Sequence, residues 1–155
     1  MIRTAAIALG SNAGDRRAHL DYAVSALRRL LTHFKASAYH ETSPVGVPGR
    51  QPLFLNAATV GETHLSARAL LDALLGTERE RGRERPFPGA ARTLDLDLIL
   101  LGDALLNEPG LAVPHPRFRE RWFVLEPLAE IAPDLRDPVT GCTILTLLAR
   151  LGGKS

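Results

Sequence analysis

Within the run Arg92-Thr93-Leu94-Asp95-Leu96-Asp97-Leu98-Ile99-Leu100-Leu101, two carboxylates alternate with leucines. At a period of two, Asp95 and Asp97 fall on one face of a strand and Leu94, Leu96 and Leu98 on the other. Side chains two apart on a strand lie roughly 6.5–7 Å apart at Cα, a separation at which both carboxylates reach one hard cation or a pair of them. The competing explanation is an edge strand with a solvated acidic outer face, which also discourages edge-to-edge pairing. Like charges side by side in an apolar strand call for a positive partner, but these residues alone do not choose between the two.

A source of positive charge lies just upstream, because Arg79, Arg81, Arg83, Arg85 and Arg92 crowd the window 79–92. Such a cluster suits phosphate or nucleic acid, since guanidinium forks match phosphate oxygens two at a time. A plain helix end whose arginines pair with Glu78, Glu80 and Glu84 would give the same composition. Net charge is a mild +2, and every basic residue except Lys35 and Lys154 is arginine.

Bulk properties narrow the class. The 155 residues suffice for one domain with a real core, spanning 1–155, and not for two ordinary ones. Cys142 is the single cysteine, which excludes an intramolecular disulfide and a cysteine-based metal cluster. No apolar run approaches 18 residues, and Ile2 to Leu9 is only strand-length, so a soluble cytoplasmic protein is expected.

The elements that must position the aspartates follow from periodicity. Ile2 to Leu9 reads as a buried strand, and Gly10-Ser11-Asn12-Ala13-Gly14-Asp15 as a turn able to cap a helix. Leu20, Ala23, Val24, Leu27, Leu30 and Leu31 form a helical stripe that should end near His33 or Phe34. Lys35 to Thr42 is a second strand, and Pro44, Pro48, Gly49 and Pro52 impose a loop. Leu53 to Glu62 is a third strand. Ser66 caps a helix with Leu70, Leu71, Leu74 and Leu75 on its stripe, closed by Gly82. A second irregular segment, with Pro86, Pro88 and Gly89, leads into the aspartate strand.

Strand, helix, strand, strand, helix, strand is the βαββαβ order of ferredoxin-like α+β folds, with helices on one face of an antiparallel sheet and the other face free for function. Beyond it, Leu105-Leu106 suggests a short extra strand and Pro114-His115-Pro116 a rigid turn. The segments Arg121 to Ile131 and Thr143 to Leu151 look helical.

The fragments Leu9-Gly10-Ser11-Asn12, Thr42-Ser43-Pro44-Val45-Gly46, Phe54-Leu55-Asn56-Ala57-Ala58, Gly82-Arg83-Glu84-Arg85, Arg92-Thr93-Leu94-Asp95-Leu96-Asp97 and Val113-Pro114-His115-Pro116-Arg117 occur in this order. Together, from Ile2 to about Leu147, they resemble the 6-hydroxymethyl-7,8-dihydropterin pyrophosphokinases of folate biosynthesis. The aspartate motif followed by Pro114-His115-Pro116 is the specific part.

The resemblance implies a ferredoxin-like fold with C-terminal helical additions and an active site holding two magnesium ions. It implies that the pterin hydroxymethyl oxygen attacks the β-phosphorus of ATP, leaving AMP. It assigns Asp95 and Asp97 to the metals, and Arg83, Arg92, Asp95 and Asp97 to catalysis. Glu78, Arg83, Arg85, Arg92, Leu98, His115 and Arg121 are assigned to ATP. Thr42, Pro44, Val45, Phe54, Asn56 and Phe123 are assigned to the pterin. The expected partners are ATP and 6-hydroxymethyl-7,8-dihydropterin, with no nucleic acid, no membrane and a monomeric chain.

The residue types suit these roles. Magnesium keeps several waters and relies on substrate phosphates to complete its octahedron, so two carboxylates are enough from the protein. A flat heterocycle needs aromatic faces and an amide to read its donor and acceptor edge, and Phe54, Phe123 and Asn56 supply both. An asparagine in mid-strand is otherwise hard to explain, because a buried amide must find partners. Glu78 has a plainer reading as a surface ion pair with Arg79 or Arg81.

Three departures from the family pattern stand out. Many members carry Trp-Gly-Pro just before the arginine of the aspartate motif, where this chain has Gly89-Ala90-Ala91, and Phe87 is the nearest aromatic. Leu75 replaces a polar residue, and Ala112 a threonine. Two other classes share part of the signature. A two-metal phosphodiesterase also needs paired aspartates and would recruit Glu78 and His115. A ferredoxin-like RNA-binding module would use the basic charge, but Ile2 to Leu9 lacks the strand aromatics on which bases stack.

Overall fold

The computed structural model describes residues 1–42, 53–82 and 93–152. The assignments on Pro44, Val45, Arg83, Arg85 and Arg92 therefore lie outside the described residues.

At the centre is β1 (Arg3–Ser11), flanked by β4 (Phe54–Thr63) and β5 (Asp95–Leu101), both antiparallel to it. On the far side of β4 lie β2 (Thr32–Ala36) and β3 (His40–Thr42), one after the other along the same edge. The strand order is β2-β4-β1-β5 with β3 also on β4, the antiparallel sheet expected of the ferredoxin-like order. Every residue of β1 from Ala5 to Ser11 is buried, which explains why its sequence is a nearly unbroken apolar run.

The expected single strand from Lys35 to Thr42 is two short strands. Ser37 interrupts it: its backbone N–H donates to the carbonyl of Ala58 at 2.9 Å, and its hydroxyl accepts from the Ala58 N–H at 2.9 Å. A side chain has replaced a ladder carbonyl, so regular pairing stops there and resumes at His40. The strand centred on the first half of the chain also runs further than expected, since Gly10 and Ser11 belong to β1 rather than to a turn.

Helices α1 (Arg16–Leu30) and α2 (Ala67–Gly82) cover one face of the sheet. Both begin at caps legible in the sequence: the Asp15 carboxylate accepts from the Ala18 N–H at 3.1 Å, and the Ser66 hydroxyl from the Ala69 N–H at 3.1 Å. Their stripes place Leu20, Leu27, Leu70 and Leu74 against Ile7, Leu9, Leu94, Leu96 and Leu98. Each such leucine, wholly withdrawn from water, contributes about 2 kcal/mol. The first helix stops short of the expected His33, because Thr32–Ala36 is taken into the sheet.

The second face is not simply open. Helices α3 (Trp122–Ile131) and α4 (Ile144–Arg150) pack Val124, Leu125, Leu128, Ile144 and Leu147 against Ala6, Ala8, Ala58, Val60, Ile99 and Leu100. The small side chains on β1 let α3 approach closely. The expectation of a free second face therefore holds only for its end beyond Ala8, where polar residues begin.

The remaining hairpin, β6 (Leu106–Glu108) and β7 (Leu111–Val113), extends the short strand expected at Leu105-Leu106 and delivers the chain to His115. Among the described residues no helix is long and apolar enough to cross a membrane.

Candidate active site

The polar end of the second face is built on one row of the sheet. Gly10 is the register partner of Asn56 on β4 and of Asp95 on β5. Cross-strand partners share a face, so Asn56 and Asp95 point the same way, about 10 Å apart with only the glycine backbone between them. In the next row Ala8 separates Ala58 from Asp97. A Cβ on Gly10 would meet Asn56 Oδ1 at 3.2 Å, so this glycine keeps the floor low where the amide leans over it.

The Asn56 amide is held. Its Nδ2 donates to the Thr42 hydroxyl at 2.6 Å, and both side chains are buried. Thr42 is itself the register partner of half-buried Phe54, so Thr42, Phe54 and Asn56 gather at one end of the β3–β4 pair. Oδ1 turns toward Gly10 and the aspartates, an acceptor suited to a ligand edge that presents N–H groups.

On β5 the alternation works as the spacing predicts. Leu94, Leu96 and Leu98 are in the core under the helices, and Asp95 and Asp97 are half-buried on the other face. Leu98, assigned to ATP by resemblance, has its side chain in the core, which leaves its backbone to meet a ligand. Between the two aspartates, the Leu96 N–H points off the free edge of β5 and donates to Glu78 Oε2 on α2 at 2.7 Å. Glu78 thus ties a helix to the backbone that carries both aspartates.

A β-bulge in β5 sets the next element. Ala6 pairs Leu100 and Ile7 pairs Leu98, so Ile99 is the extra residue. Its carbonyl, outside the regular ladder, accepts from the His115 N–H at 2.9 Å. His115 Nδ1 accepts from the Arg117 N–H at 3.1 Å, which makes Nε2 the protonated nitrogen of the neutral ring. Burial, reinforced by the Arg121 guanidinium and by Arg117, lowers the His115 pKa, while Asp95 opposes the shift. His115, Arg121 and Asp95 are therefore electrostatic neighbours.

Helix α3 then crosses the second face from β5 to β3. At its start the Arg121 guanidinium lies 5.8 Å from the Phe123 ring centroid. At its end Glu130 accepts from the Ala38 N–H at 2.8 Å and meets His40 Nε2 at 2.9 Å. Ten residues of helix span about 15 Å, and α3 packs chiefly over β4, beside the polar end of this face. Phe123 sits half-buried on that helix.

The arginines at 83, 85 and 92 lie outside the described residues, but the anchors of their segment are clear. A Cβ on Gly82 would collide with Thr93 Oγ1, so the end of α2 touches the residue two before Asp95. Gly82 and Thr93, the described residues on either side of 83–92, therefore meet beside the aspartates. Sequence reasoning overlooked Gly10 as a floor residue; its signal was the spacing of Ala6, Ala8 and Gly10 on one strand face.

Among the described residues no group of three or more His, Cys, Asp or Glu side chains could hold a metal ion. Two adjacent carboxylates fit a hard cation that takes its other ligands from water and phosphate, and do not fit zinc, which needs a closed set of protein ligands or three of them around an open position.

Comparison with known proteins identifies the family. A family profile for 7,8-dihydro-6-hydroxymethylpterin-pyrophosphokinase (HPPK) matches residues 6–133. The 2-amino-4-hydroxy-6-hydroxymethyldihydropteridine pyrophosphokinase of Pseudomonas aeruginosa is 44% identical over 140 residues, covering 89% of this chain and 86% of its own. That of Bacillus subtilis is 42% identical over 142 residues, covering 90% and 84%. The crystal structure of wild-type Plasmodium falciparum HPPK-DHPS superposes with a TM-score of 0.77 at 13% identity, covering 97% of this chain and 45% of that longer one, a likeness of fold. With the profile spanning most of its length and these relatives matched nearly end to end, the chain belongs to the 7,8-dihydro-6-hydroxymethylpterin-pyrophosphokinase family.

Proposed function

We propose that this protein transfers the pyrophosphoryl group of ATP to the hydroxymethyl group of 6-hydroxymethyl-7,8-dihydropterin, releasing AMP, as a step of folate biosynthesis. The observation that carries the reading is the single row Asn56–Gly10–Asp95, which sets a heterocycle-reading amide and a phosphate-side carboxylate on one face with a low floor between them.

On the pterin side, Asn56 is held by Thr42 in one orientation, so its amide reads the ligand edge without losing freedom on binding. Phe54 and Phe123 offer flat apolar surfaces from the sheet and from α3. The hydroxymethyl group then lies toward β5. Its oxygen forms a bond to the β-phosphorus, the bond from that phosphorus to the α–β bridging oxygen breaks, and the displaced oxygen stays with AMP. The hydroxyl proton passes to solvent.

On the nucleotide side, Asp95 and Asp97 would hold two magnesium ions, which when bound neutralise charge on the phosphates and lower the pKa of the attacking hydroxyl. His115 is kept neutral by burial and Arg121, so its Nε2–H can donate to a phosphate oxygen without adding a fixed charge. Arg83, Arg85 and Arg92, on the segment that joins the fold at Gly82 and Thr93, supply guanidinium forks for the phosphates and the leaving group. Arg92→Ala should lower turnover by about 10²- to 10³-fold if Arg92 steadies transferring charge.

The test is a coupled assay with hydroxymethyl-dihydropterin, ATP and magnesium, scored for AMP against ADP. Pterin-dependent AMP is the expected product. ADP would mean γ-phosphoryl transfer and would overturn the reading.

A further inference from the structure

One buried ion pair lies outside the residues so far assigned to the site, and it holds the segment that carries two of them. His115 and Arg121 are joined by Pro116 to Glu120, a stretch with a single 3-10 turn at Phe118–Glu120. At one end the His115 N–H is fixed on Ile99 of β5. In the middle Phe118 is fully buried against α3 and α4. Next to it Arg119 forks onto Asp137, with Nε at 2.5 Å from Oδ2 and Nη2 at 2.8 Å from Oδ1.

Asp137 is an unusual partner for a surface arginine, because none of it is exposed. Its oxygens also accept from the Val139 N–H at 3.0 Å and the Thr140 hydroxyl at 2.8 Å. The carboxylate is thus immobilised on the turn between α3 and α4 before Arg119 arrives. A bidentate fork on an immobile acceptor fixes orientation as well as distance. Arg119 is two residues from Arg121, whose backbone is extended at φ −111° and ψ 95° and whose side chain caps nothing. Without the fork, the link between the buried Phe118 and the start of α3 would rest on backbone turns and the exposed Arg117–Glu120 pair, none of which fixes a side chain on a buried partner.

We propose that Arg119 and Asp137 are positioning residues for nucleotide binding: their forked pair fixes the His115–Arg121 segment so that both side chains face the phosphates beside Asp95. This rests on the reading of His115 and Arg121 as nucleotide contacts. Neither positioning residue touches substrate. Their effect should fall mainly on ATP: of the described residues assigned to the pterin, only Phe123, beside Arg121, adjoins this segment, while Thr42, Phe54 and Asn56 lie on β3 and β4.

The experiment uses the full chain and the variants Arg119→Lys, Arg119→Met/Asp137→Leu, His115→Ala and Arg121→Ala. The double variant removes both charges at similar volume, so it leaves no orphaned buried carboxylate and should still melt cooperatively. Its KM for ATP should rise about tenfold, as expected when a contact is displaced rather than deleted, with kcat and the KM for pterin changed by less than about twofold. Arg119→Lys keeps the charge and loses the fork, and should raise the KM for ATP by about threefold. An ATP KM within about twofold of wild type in either folded variant, while His115→Ala and Arg121→Ala both raise it, would overturn the proposal. If instead His115→Ala and Arg121→Ala leave binding of a non-hydrolysable ATP analogue unchanged, the nucleotide reading of those residues is wrong. The positioning role then falls with it, whereas pterin-dependent AMP formation by the wild type stands apart from both results.

Discussion

Asn56 and Asp95 are joined through one residue: each is the register partner of Gly10, from opposite sides, on the same face of the sheet. The amide proposed to read the pterin and the carboxylate proposed to face the phosphates are therefore spaced by two strand separations, a distance set by backbone hydrogen bonding rather than by side-chain conformation.

Gly10→Ala should test the floor between them. The new Cβ sits 3.2 Å from Asn56 Oδ1, close enough to press on the amide yet with no positive-φ strain at this position. The variant should fold with a melting temperature near wild type and show a KM for pterin raised by about tenfold, with a smaller change for ATP. Equal kinetics for both substrates would mean that the gap is not a ligand site.

Asp95→Ala and Asp97→Ala should each fold and lose nearly all transfer, by about 10³-fold or more. Both side chains are half-buried on the sheet face away from α1 and α2. AMP formation and a thermal melt on the same preparations decide this, and near-normal turnover in both variants would sink the metal assignment.

Glu78→Ala and Glu78→Gln should differ. The carboxylate takes the Leu96 N–H between the two aspartates, and a glutamine amide oxygen can accept the same hydrogen bond. Glu78→Ala should cost about 1–2 kcal/mol and lower turnover, and Glu78→Gln should recover much of both. If the two variants behave alike, the β5 hydrogen bond is not what Glu78 contributes.

The Asp137 carboxyl should mark the acid limb of stability. Burial pushes its pKa upward, but Arg119, the Thr140 hydroxyl and the Val139 N–H more than reverse this and hold it at about 2, against an ordinary value of 3.8. A carboxyl depressed in the folded state adds stability above its unfolded pKa and loses it as pH falls through the folded one. Asp137→Asn should therefore be less stable by about 2 kcal/mol at neutral pH, with the gap closing between about pH 4 and pH 2. Denaturant melts across that range check it; a constant gap would mean that the charge is not the source.

Much of this was legible in the chain alone, because it depends on near neighbours. The alternation of Asp95 and Asp97 with leucines, the caps at Asp15 and Ser66, and the stripes of α1 and α2 are local patterns with a fixed period, and the strand–helix order follows from them. The family motifs are likewise strings of adjacent residues. What tertiary structure alone decided depends on pairing between residues far apart in sequence. Ser37 breaks a strand only because Ala58 lies opposite, and the Ile99 bulge seats His115 only because β7 returns there. Gly10 is a floor only once Asn56 and Asp95 flank it, and Asp137 is buried only once Arg119 folds onto it. Periodicity states which face a side chain takes along its own element; hydrogen-bond register and packing between elements determine what that face meets.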